Sequence, residues 1–424
     1  MNHFEARDGA LVCEDVPLAR IAEAVRTPVY VYSTATLERH FEVFRAAVEG
    51  LGAGAPIIAY AVKANSNLSV LKTLFEAGAW ADTVSQGEIR RALAAGLPAE
   101  RIIVSGVGKS DEELRFAVAA GVAEINVEAE PELDRLSRIA ADAGARQPVA
   151  IRVNPDIAAG GHAKIATGQA DAKFGVSLAE AERLYAKAAN APGLNAVGVA
   201  CHIGSQITSL EPFAEAAAKM RGLVERLRAQ GHAVERLDLG GGLGVPYFHQ
   251  PDPPEPAAYA AVLRQALGGL DIQLTFEPGR LIVANAGVLV ARVVHVHERA
   301  EGRRFLVLDA AMNDLVRPAM YEAYHELRPV VEAPAAGERF DYDIVGPVCE
   351  TGDTFARDRR LPALQAGDLV AFMSAGAYGA VMASEYNSRL LVPEVLVRGD
   401  RFAVVRPRPT FEQMLAAEPL APWL

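Results

Sequence analysis

Cysteine is scarce in this 424-residue sequence, and its three cysteines, Cys13, Cys201 and Cys349, lie far apart. An odd number of widely spaced cysteines argues against a disulfide framework and against a CxxC metal site. Residues 1–20 mix charged and apolar side chains, without an apolar stretch long enough for a signal peptide or a membrane span. We therefore expect a protein of a reducing compartment, the cytoplasm.

The sequence also lacks a tract of basic residues. Its 42 Lys and Arg are outnumbered by 53 Asp and Glu, which gives a formal net charge of -11 with His neutral. This balance disfavours general binding to nucleic acid. A hydrophobic content of 51% over 424 residues is enough for two domains that fold without covalent cross-links.

Short β-rich apolar runs alternate with Ala- and Leu-rich segments from about residue 27 onward. The runs that predict strands are 56–65, 80–85, 101–106, 123–128, 148–155, 196–205, 236–242 and 271–280. Eight βα units over this length are typical of a TIM (β/α)8 barrel, whose catalytic residues lie at the carboxyl ends of the strands. The other architecture is a doubly wound sheet, but the GxGxxG expected after its first strand is missing.

Valine-rich runs separated by turns replace the helical segments after residue 281. They lie at 287–298, 303–310, 340–348, 368–378 and 394–407. This pattern predicts a mainly antiparallel β domain. Residues 1–26 have little helical periodicity and can add strands to it. We therefore expect a barrel over 27–280 and a discontinuous β domain made of 1–26 and 281–424.

Lys63 ends the apolar run AYAVKAN, where a buried ammonium would be costly. Desolvation lowers the pKa of an amine and frees its lone pair to attack an aldehyde, so the position suits a Schiff base. The other interpretation is a lysine whose stem is buried and whose ammonium reaches water.

Two glycine-containing motifs follow the last two predicted barrel strands. Gly240, Gly241 and Gly242 can bring backbone N–H groups close to an anion such as phosphate, although a simple tight turn also uses glycine. The motif EPGR (277–280) supplies Glu277, which can keep a pyridinium nitrogen protonated, and Arg280, which can bind phosphate or carboxylate. A purely structural Glu/Arg pair is the alternative.

His202 and Ser205 follow the sixth predicted strand, in CHIGS. A neutral imidazole can stack on an aromatic cofactor, and a hydroxyl can donate to phosphate. Each residue alone can equally be an ordinary hydrogen-bonded polar group. Because the carboxyl ends of barrel strands meet at one face, these residues are expected to lie beside Lys63 and the EPGR motif.

The motifs AYAVKAN, CHIGSQ, LGGG and EPGR, in this order, resemble those of the alanine racemase-like barrel group of pyridoxal-phosphate (PLP) enzymes. This group includes ornithine, arginine and diaminopimelate decarboxylases, and the resemblance covers about residues 27 to 390. It implies PLP bound through Lys63, His202 stacked on its ring, Glu277 paired with its nitrogen and Arg152 supporting that glutamate. The other residues implied at the cofactor are Ser205, Gly240, Gly241, Gly242, Gly279, Arg280 and Tyr378.

The second half of the chain distinguishes the members of this group. VCETGD (348–353) resembles the decarboxylase motif in which a cysteine, here Cys349, returns a proton to the substrate carbon and the next residue, here Glu350, binds the distal end of the substrate. A thiol with a pKa of about 8.5 can donate a proton at neutral pH. The alternative for a lone cysteine is an inert small hydrophobe.

NDLVRPAMYEAYH (313–325) and HAKIATGQADAKFG (162–175) resemble the diaminopimelate decarboxylase branch. By this resemblance Arg317 and Tyr321, with Arg280, bind a distal carboxylate, and Tyr378 contacts both cofactor and substrate. The implied reaction is the decarboxylation of meso-2,6-diaminopimelate to L-lysine and CO2. The implied assembly is a homodimer with the active site at the subunit interface.

Three alternatives stay open from the sequence. One is a decarboxylase of ornithine, arginine or carboxynorspermidine, and another is an alanine racemase. The third is a non-catalytic PLP-binding relative, which would have no need to keep Lys63, Glu277 and Cys349 together.

Overall fold

The computed structural model describes residues 2–158, 160, 168, 172–247, 252–332 and 337–424. The chain forms two compact units. The first, here called the β unit, consists of Met1–Leu37, Tyr247–Gln250 and Val283–Leu424. The second, here called the barrel unit, consists of Glu38–Pro246 and Pro251–Ile282.

The β unit begins with a small antiparallel sheet. The sheet contains β1 (Phe4–Arg7), β2 (Ala10–Cys13) and β3 (Val16–Pro17). The helix α1 (Leu18–Val25) and the strand β4 (Val29–Ser33) follow it in the chain. The expectation of little helical periodicity in this part of the chain is wrong at α1, because Leu18, Ile21 and Ala22 recur at helical spacing and form its buried face. They pack in one apolar cluster with Leu11 and Cys13, so Cys13 serves as a small core residue.

Eight parallel strands close the barrel. They are β5 (Ile57–Ala61), β6 (Trp80–Thr83), β7 (Ile102–Val104), β8 (Glu124–Val127), β9 (Gln147–Asn154), β11 (Leu194–Ala200), β12 (Arg236–Asp238) and β13 (Gln273–Phe276), with the short β10 (Val176–Ser177) beside β9. The barrel closes where β13 pairs with β5. Each of the eight strands overlaps one predicted run, so the predicted TIM barrel is confirmed.

The helices of this part of the chain lie between the barrel strands. They are α2 (Thr34–Val48), α3 (Leu68–Glu76), α4 (Gln86–Ala94), α5 (Asp111–Ala120), α6 (Glu130–Asp142), α7 (Leu178–Asn190), α8 (Glu211–Ala229), α9 (Pro256–Leu267) and the short α10 (Arg280–Val283). Side-chain oxygens cap several of them: Ser85, Ser110 and Ser177 each accept a backbone N–H three residues on. Of the helices in the described ranges, none is long and apolar enough to cross a membrane.

The carboxyl-terminal part of the β unit is a mixed sheet. Its elements are β14 (Gly287–Glu298), β15 (Arg304–Leu308), α11 (Arg317–Tyr321), β16 (Leu327–Pro329), β17 (Arg339–Val345), β18 (Thr354–Pro362), β19 (Leu369–Phe372), β20 (Glu394–Arg398), β21 (Arg401–Arg406) and α12 (Phe411–Ala416). The long β14 pairs antiparallel with β4, β15 and β19. Two pairings, β15 with β17 and β4 with β20, are parallel. The sheet is therefore mainly but not wholly antiparallel.

Candidate active site

Lys63 lies on a single 3-10 turn, Val62–Ala64, directly after β5. Its Nζ donates to Oδ2 of Asp82 at 2.8 Å, and Asp82 is fully buried in β6. The lysine side chain is 36% exposed. The structure therefore corrects the desolvation argument: the amine is not buried, and the contact with Asp82 fixes its orientation.

His202 follows β11, and its Nδ1 accepts the backbone N–H of Gly241 at 3.1 Å. Burial, and then the positive charges of Lys63 and Arg152, lower the pKa of His202 well below its ordinary value. An accepting Nδ1 and a depressed pKa both describe a neutral ring with its proton on Nε2. Such a ring can stack on an aromatic cofactor.

The glycine cluster after β12 brings three strand ends close together. A Cβ at Gly241 would collide with the backbone oxygen of Glu277, so only glycine fits there. The N–H of Gly240 donates to Oδ1 of Asp238 at 2.7 Å, and that of Gly241 donates to His202. Because these two N–H groups bind protein atoms, the expectation that all three glycines offer an N–H to phosphate is corrected, and for Gly242 it stays a prediction.

Glu277 lies directly after β13, buried beside Asp238. Burial, followed by the neighbouring carboxyls of Asp238 and Asp82, raises the pKa of Glu277 well above its ordinary value. Within the described ranges, its buried Oε1 meets no hydrogen-bond donor. A buried acceptor without a donor is unfavourable, so a cationic N–H placed beside it would be stabilised. The residue therefore fits a protonated pyridine nitrogen, and with it PLP.

Arg280 and Ser205 are brought together, as expected for two groups that share a phosphate. Nη2 of Arg280 donates to Oγ of Ser205 at 3.2 Å, and the arginine is buried at the start of α10. The preceding Gly279 lies where a Cβ would be 3.0 Å from Cβ of Ala61 and 3.1 Å from Cβ of Ala64. Glycine here lets the EPGR turn pack closely against the turn that carries Lys63.

Arg152 does not form the predicted link to Glu277. It forms an ion pair with Glu128, Nη1 to Oε1 at 2.7 Å, and its guanidinium lies 4.8 Å from the ring centroid of Phe174. Glu128 follows β8 and Phe174 precedes β10, and both lie against this buried cation. The charge of Arg152 still reaches the site, because it helps to lower the pKa of His202.

The β unit supplies the second group of expected residues. Arg317 is buried at the start of α11, with Nη1 2.8 Å from Nε2 of His325 and Cζ 5.2 Å from the ring centroid of Tyr247. Tyr321 ends the same helix. Arg317 and Tyr321 thus lie one helical turn apart, as two groups that bind one carboxylate should.

Cys349 and Glu350 are exposed on the loop between β17 and β18. The backbone N–H of Cys349 donates to Oδ1 of Asn387 at 2.9 Å. Glu350 accepts from the hydroxyl of Tyr386, which raises the pKa of that tyrosine. Tyr378, on the loop after β19, has φ +56°, a left-handed conformation that is costly for a side chain of this size.

Part of the predicted diaminopimelate-type loop, 162–175, lies outside the described residues. Only Gly168 and the residues from 172 onward are described.

Sequence comparison supports the same family as the site. The model of the pyridoxal-dependent decarboxylase pyridoxal-binding domain matches residues 34–284. A diaminopimelate decarboxylase of Zymomonas mobilis is 48% identical over 425 residues, covering 100% of both chains. The chain belongs to the diaminopimelate decarboxylase family.

Solved structures of diaminopimelate decarboxylases have the same fold as this chain. The Helicobacter pylori enzyme, complexed with L-lysine, has a TM-score of 0.89 at 39% identity, over 94% of this chain and 98% of that one. The M. jannaschii enzyme, also in complex with L-lysine, has a TM-score of 0.94 at 33% identity, over 100% of both chains.

Three residues of this diaminopimelate decarboxylase family member were missed by sequence reasoning. Asp82 lies within β6 and Asp238 ends β12, and an acidic residue in a buried strand is a signal that could have indicated them. His325 stands eight residues after Arg317 in a motif that was singled out for other residues.

Proposed function

We propose that this protein removes the carboxylate from the D-configured centre of meso-2,6-diaminopimelate and releases L-lysine and CO2. The observation that carries the proposal is the buried Glu277, which has a raised pKa and an Oε1 that meets no donor among the described residues, and so fits a pyridine nitrogen. The full-length similarity to enzymes named diaminopimelate decarboxylase supports the same reaction. PLP, when bound, supplies a protonated ring that accepts the electron pair left by the departing carboxylate.

The barrel residues would hold this cofactor at both ends. Lys63 would bind it through its amine, which Asp82 orients, and Glu277 would pair with the ring nitrogen. The neutral ring of His202 would lie against the cofactor face. The remaining residues proposed at the cofactor, for its phosphate or its edge, are Ser205, Gly242, Gly279, Arg280 and Tyr378.

The decarboxylated carbon must gain one proton for the one carboxylate it loses. We assign this proton to the thiol of Cys349, which is exposed on its loop and can therefore reach a substrate bound to a barrel. Glu350, next in the chain, would bind the distal ammonium of the substrate. Exposure of both residues on the β unit supports a homodimer in which one subunit completes the site of the other.

The buried guanidinium of Arg317 is evidence for a substrate that carries a second carboxylate. A buried guanidinium in a defined orientation binds a carboxylate through two parallel hydrogen bonds, which an ammonium cannot do. A diamine-forming decarboxylase would have no use for this cation. Arg280 and Tyr321 are proposed to contact the same carboxylate. The three free cysteines support a cytoplasmic location.

The proposal is tested by measuring CO2 and lysine release from purified protein supplied with PLP. Meso-diaminopimelate is compared with ornithine, arginine and carboxynorspermidine. We expect turnover of the first alone, and Arg317→Gln should raise KM for it, whereas Arg401→Gln, on an exposed strand of the same unit, should not. Preference for another substrate would overturn the assignment of Arg317, and no turnover of any substrate would overturn the proposed reaction.

A further inference from the structure

The hydrogen bonds around His325 determine which of its ring nitrogens carries a proton. Nε2 faces Nη1 of Arg317 at 2.8 Å, and Nδ1 faces the backbone oxygen of Met373 at 2.9 Å. A guanidinium can only donate, so Nε2 must be the bare acceptor. A carbonyl oxygen can only accept, so Nδ1 must carry the hydrogen. The ring is therefore neutral, in the Nδ1–H form.

His325 is itself held from several sides. It is buried, and its backbone oxygen accepts Nη1 of Arg359 at 3.2 Å. The ring of Tyr247 meets the imidazole edge-on with 5.7 Å between centroids, and the same tyrosine lies under the guanidinium of Arg317. The acceptor presented to Arg317 is thus fixed in position and direction.

The chemical nature of this acceptor matters for a substrate carboxylate. The buried Arg152 is bound by a carboxylate, Glu128, and such a pair largely cancels its own charge. The acceptor that His325 offers to Arg317 carries no charge. It orients the guanidinium and adds no negative charge beside it.

We propose that His325 is a positioning residue that makes the enzyme selective for the distal carboxylate, because it orients Arg317 without neutralising it. This inference deepens the proposed function and rests on it. It assigns to His325 no contact with cofactor or substrate. Its effect should therefore appear in the binding of molecules that carry the distal carboxylate and not in the chemical step.

The test measures binding to the PLP-loaded enzyme as well as turnover. L-Lysine retains the distal carboxylate of the substrate, and cadaverine is the same diamine without it. For His325→Leu, KM for meso-diaminopimelate and Ki for L-lysine should both rise about tenfold or more, with kcat and the Ki of cadaverine within about twofold. His295→Gln, on the exposed end of β14, is the control and should change none of these values.

Two further variants separate orientation from charge. His325→Gln keeps a neutral acceptor near the position of Nε2 and should rescue most of the loss. His325→Glu keeps an acceptor but neutralises Arg317, so it should bind L-lysine as poorly as His325→Leu does. Equal losses for L-lysine and cadaverine, or an unchanged Ki for L-lysine in a folded His325→Leu, would overturn the inference.

The proposed function fails separately from this inference. If the wild-type protein releases no CO2 from meso-diaminopimelate, the proposed function is lost whatever the variants do. If the wild type turns over and the His325 variants bind L-lysine normally, only the role of His325 is lost. A His325→Leu variant that does not fold leaves the Gln and Glu variants to decide, since both retain a polar group at the buried position.

Discussion

The barrel unit and the β unit hold their charged site residues in different ways. In the barrel, two of the site cations meet carboxylates: Lys63 binds Asp82 and Arg152 binds Glu128. In the β unit, Arg317 meets the neutral ring of His325, and Cys349 stands exposed on a loop. The contrast fits the proposed function, in which the barrel residues hold the cofactor and the β unit offers a cation and a thiol to the substrate.

Removing the barrel amine should have the largest effect. Lys63→Ala should lower kcat by about a thousandfold or more, because a nucleophilic amine cannot be replaced by binding alone. The absorbance band of the bound cofactor near the visible edge should be lost as well. Lys72→Ala, which removes an exposed helical lysine paired with Glu76, is the matched control. A Lys63→Ala variant that turns over at the wild-type rate would contradict the proposed mechanism.

Removing the thiol of the β unit should slow turnover without releasing the cofactor. Cys349→Ala should lower kcat by about 100-fold, the lower end of the range expected when a positioned proton donor is lost. The absorbance band should remain at its wild-type height. Titrating Cys349→Ala and Lys63→Ala with PLP compares how well the two variants bind the cofactor. Loss of the absorbance band in Cys349→Ala would contradict the assignment of cofactor binding to the barrel unit.

A substitution in the glycine cluster tests how tightly the barrel strand ends pack. Gly241→Ala should destabilise the protein by about 1 to 3 kcal/mol, because its Cβ would collide with the backbone oxygen of Glu277. Gly108→Ala, where a Cβ would meet nothing within 4 Å, should change stability by less than about 0.5 kcal/mol. Urea unfolding of both variants measures the difference, and equal stabilities would show that the strand ends can move apart.

The smallest effect expected is a pH dependence of stability that originates in the barrel. Burial raises the pKa of Glu88 to about 7, and it also raises the pKa of Glu277. The folded, cofactor-free protein then binds more protons than the unfolded chain between about pH 4.5 and 7, so its stability falls as pH rises through this window. The free energy of unfolding should drop by about 1 kcal/mol or more.

Urea unfolding at pH 5 and pH 8 without PLP measures this drop. Glu277→Gln should reduce it, because the amide does not titrate. A stability that rises with pH over this range would contradict the raised pKa values of the barrel carboxyls.

Much of the barrel could be predicted because its strands are short apolar runs between helices with helical spacing. The positions of Lys63, His202 and Glu277 followed from the rule that catalytic residues lie at strand ends. The strand β18 was missed because charged residues at 357–360 hide its alternation, and only pairing with β17 makes it a strand. The parallel pairing of β4 with β20 joins segments more than 350 residues apart, which local patterns cannot indicate.

The sequence by itself determined the barrel, the family and the kinds of side chain available to bind a cofactor, because these depend on local patterns and on motif order. Only the tertiary structure decided which partner each charged group meets. It paired Arg152 with Glu128 instead of Glu277, directed two glycine N–H groups to Asp238 and His202, and placed His325 against Arg317. Hydrogen-bond partners depend on distances of a few tenths of an ångström between residues remote in the chain, and these arise only when the whole fold is packed.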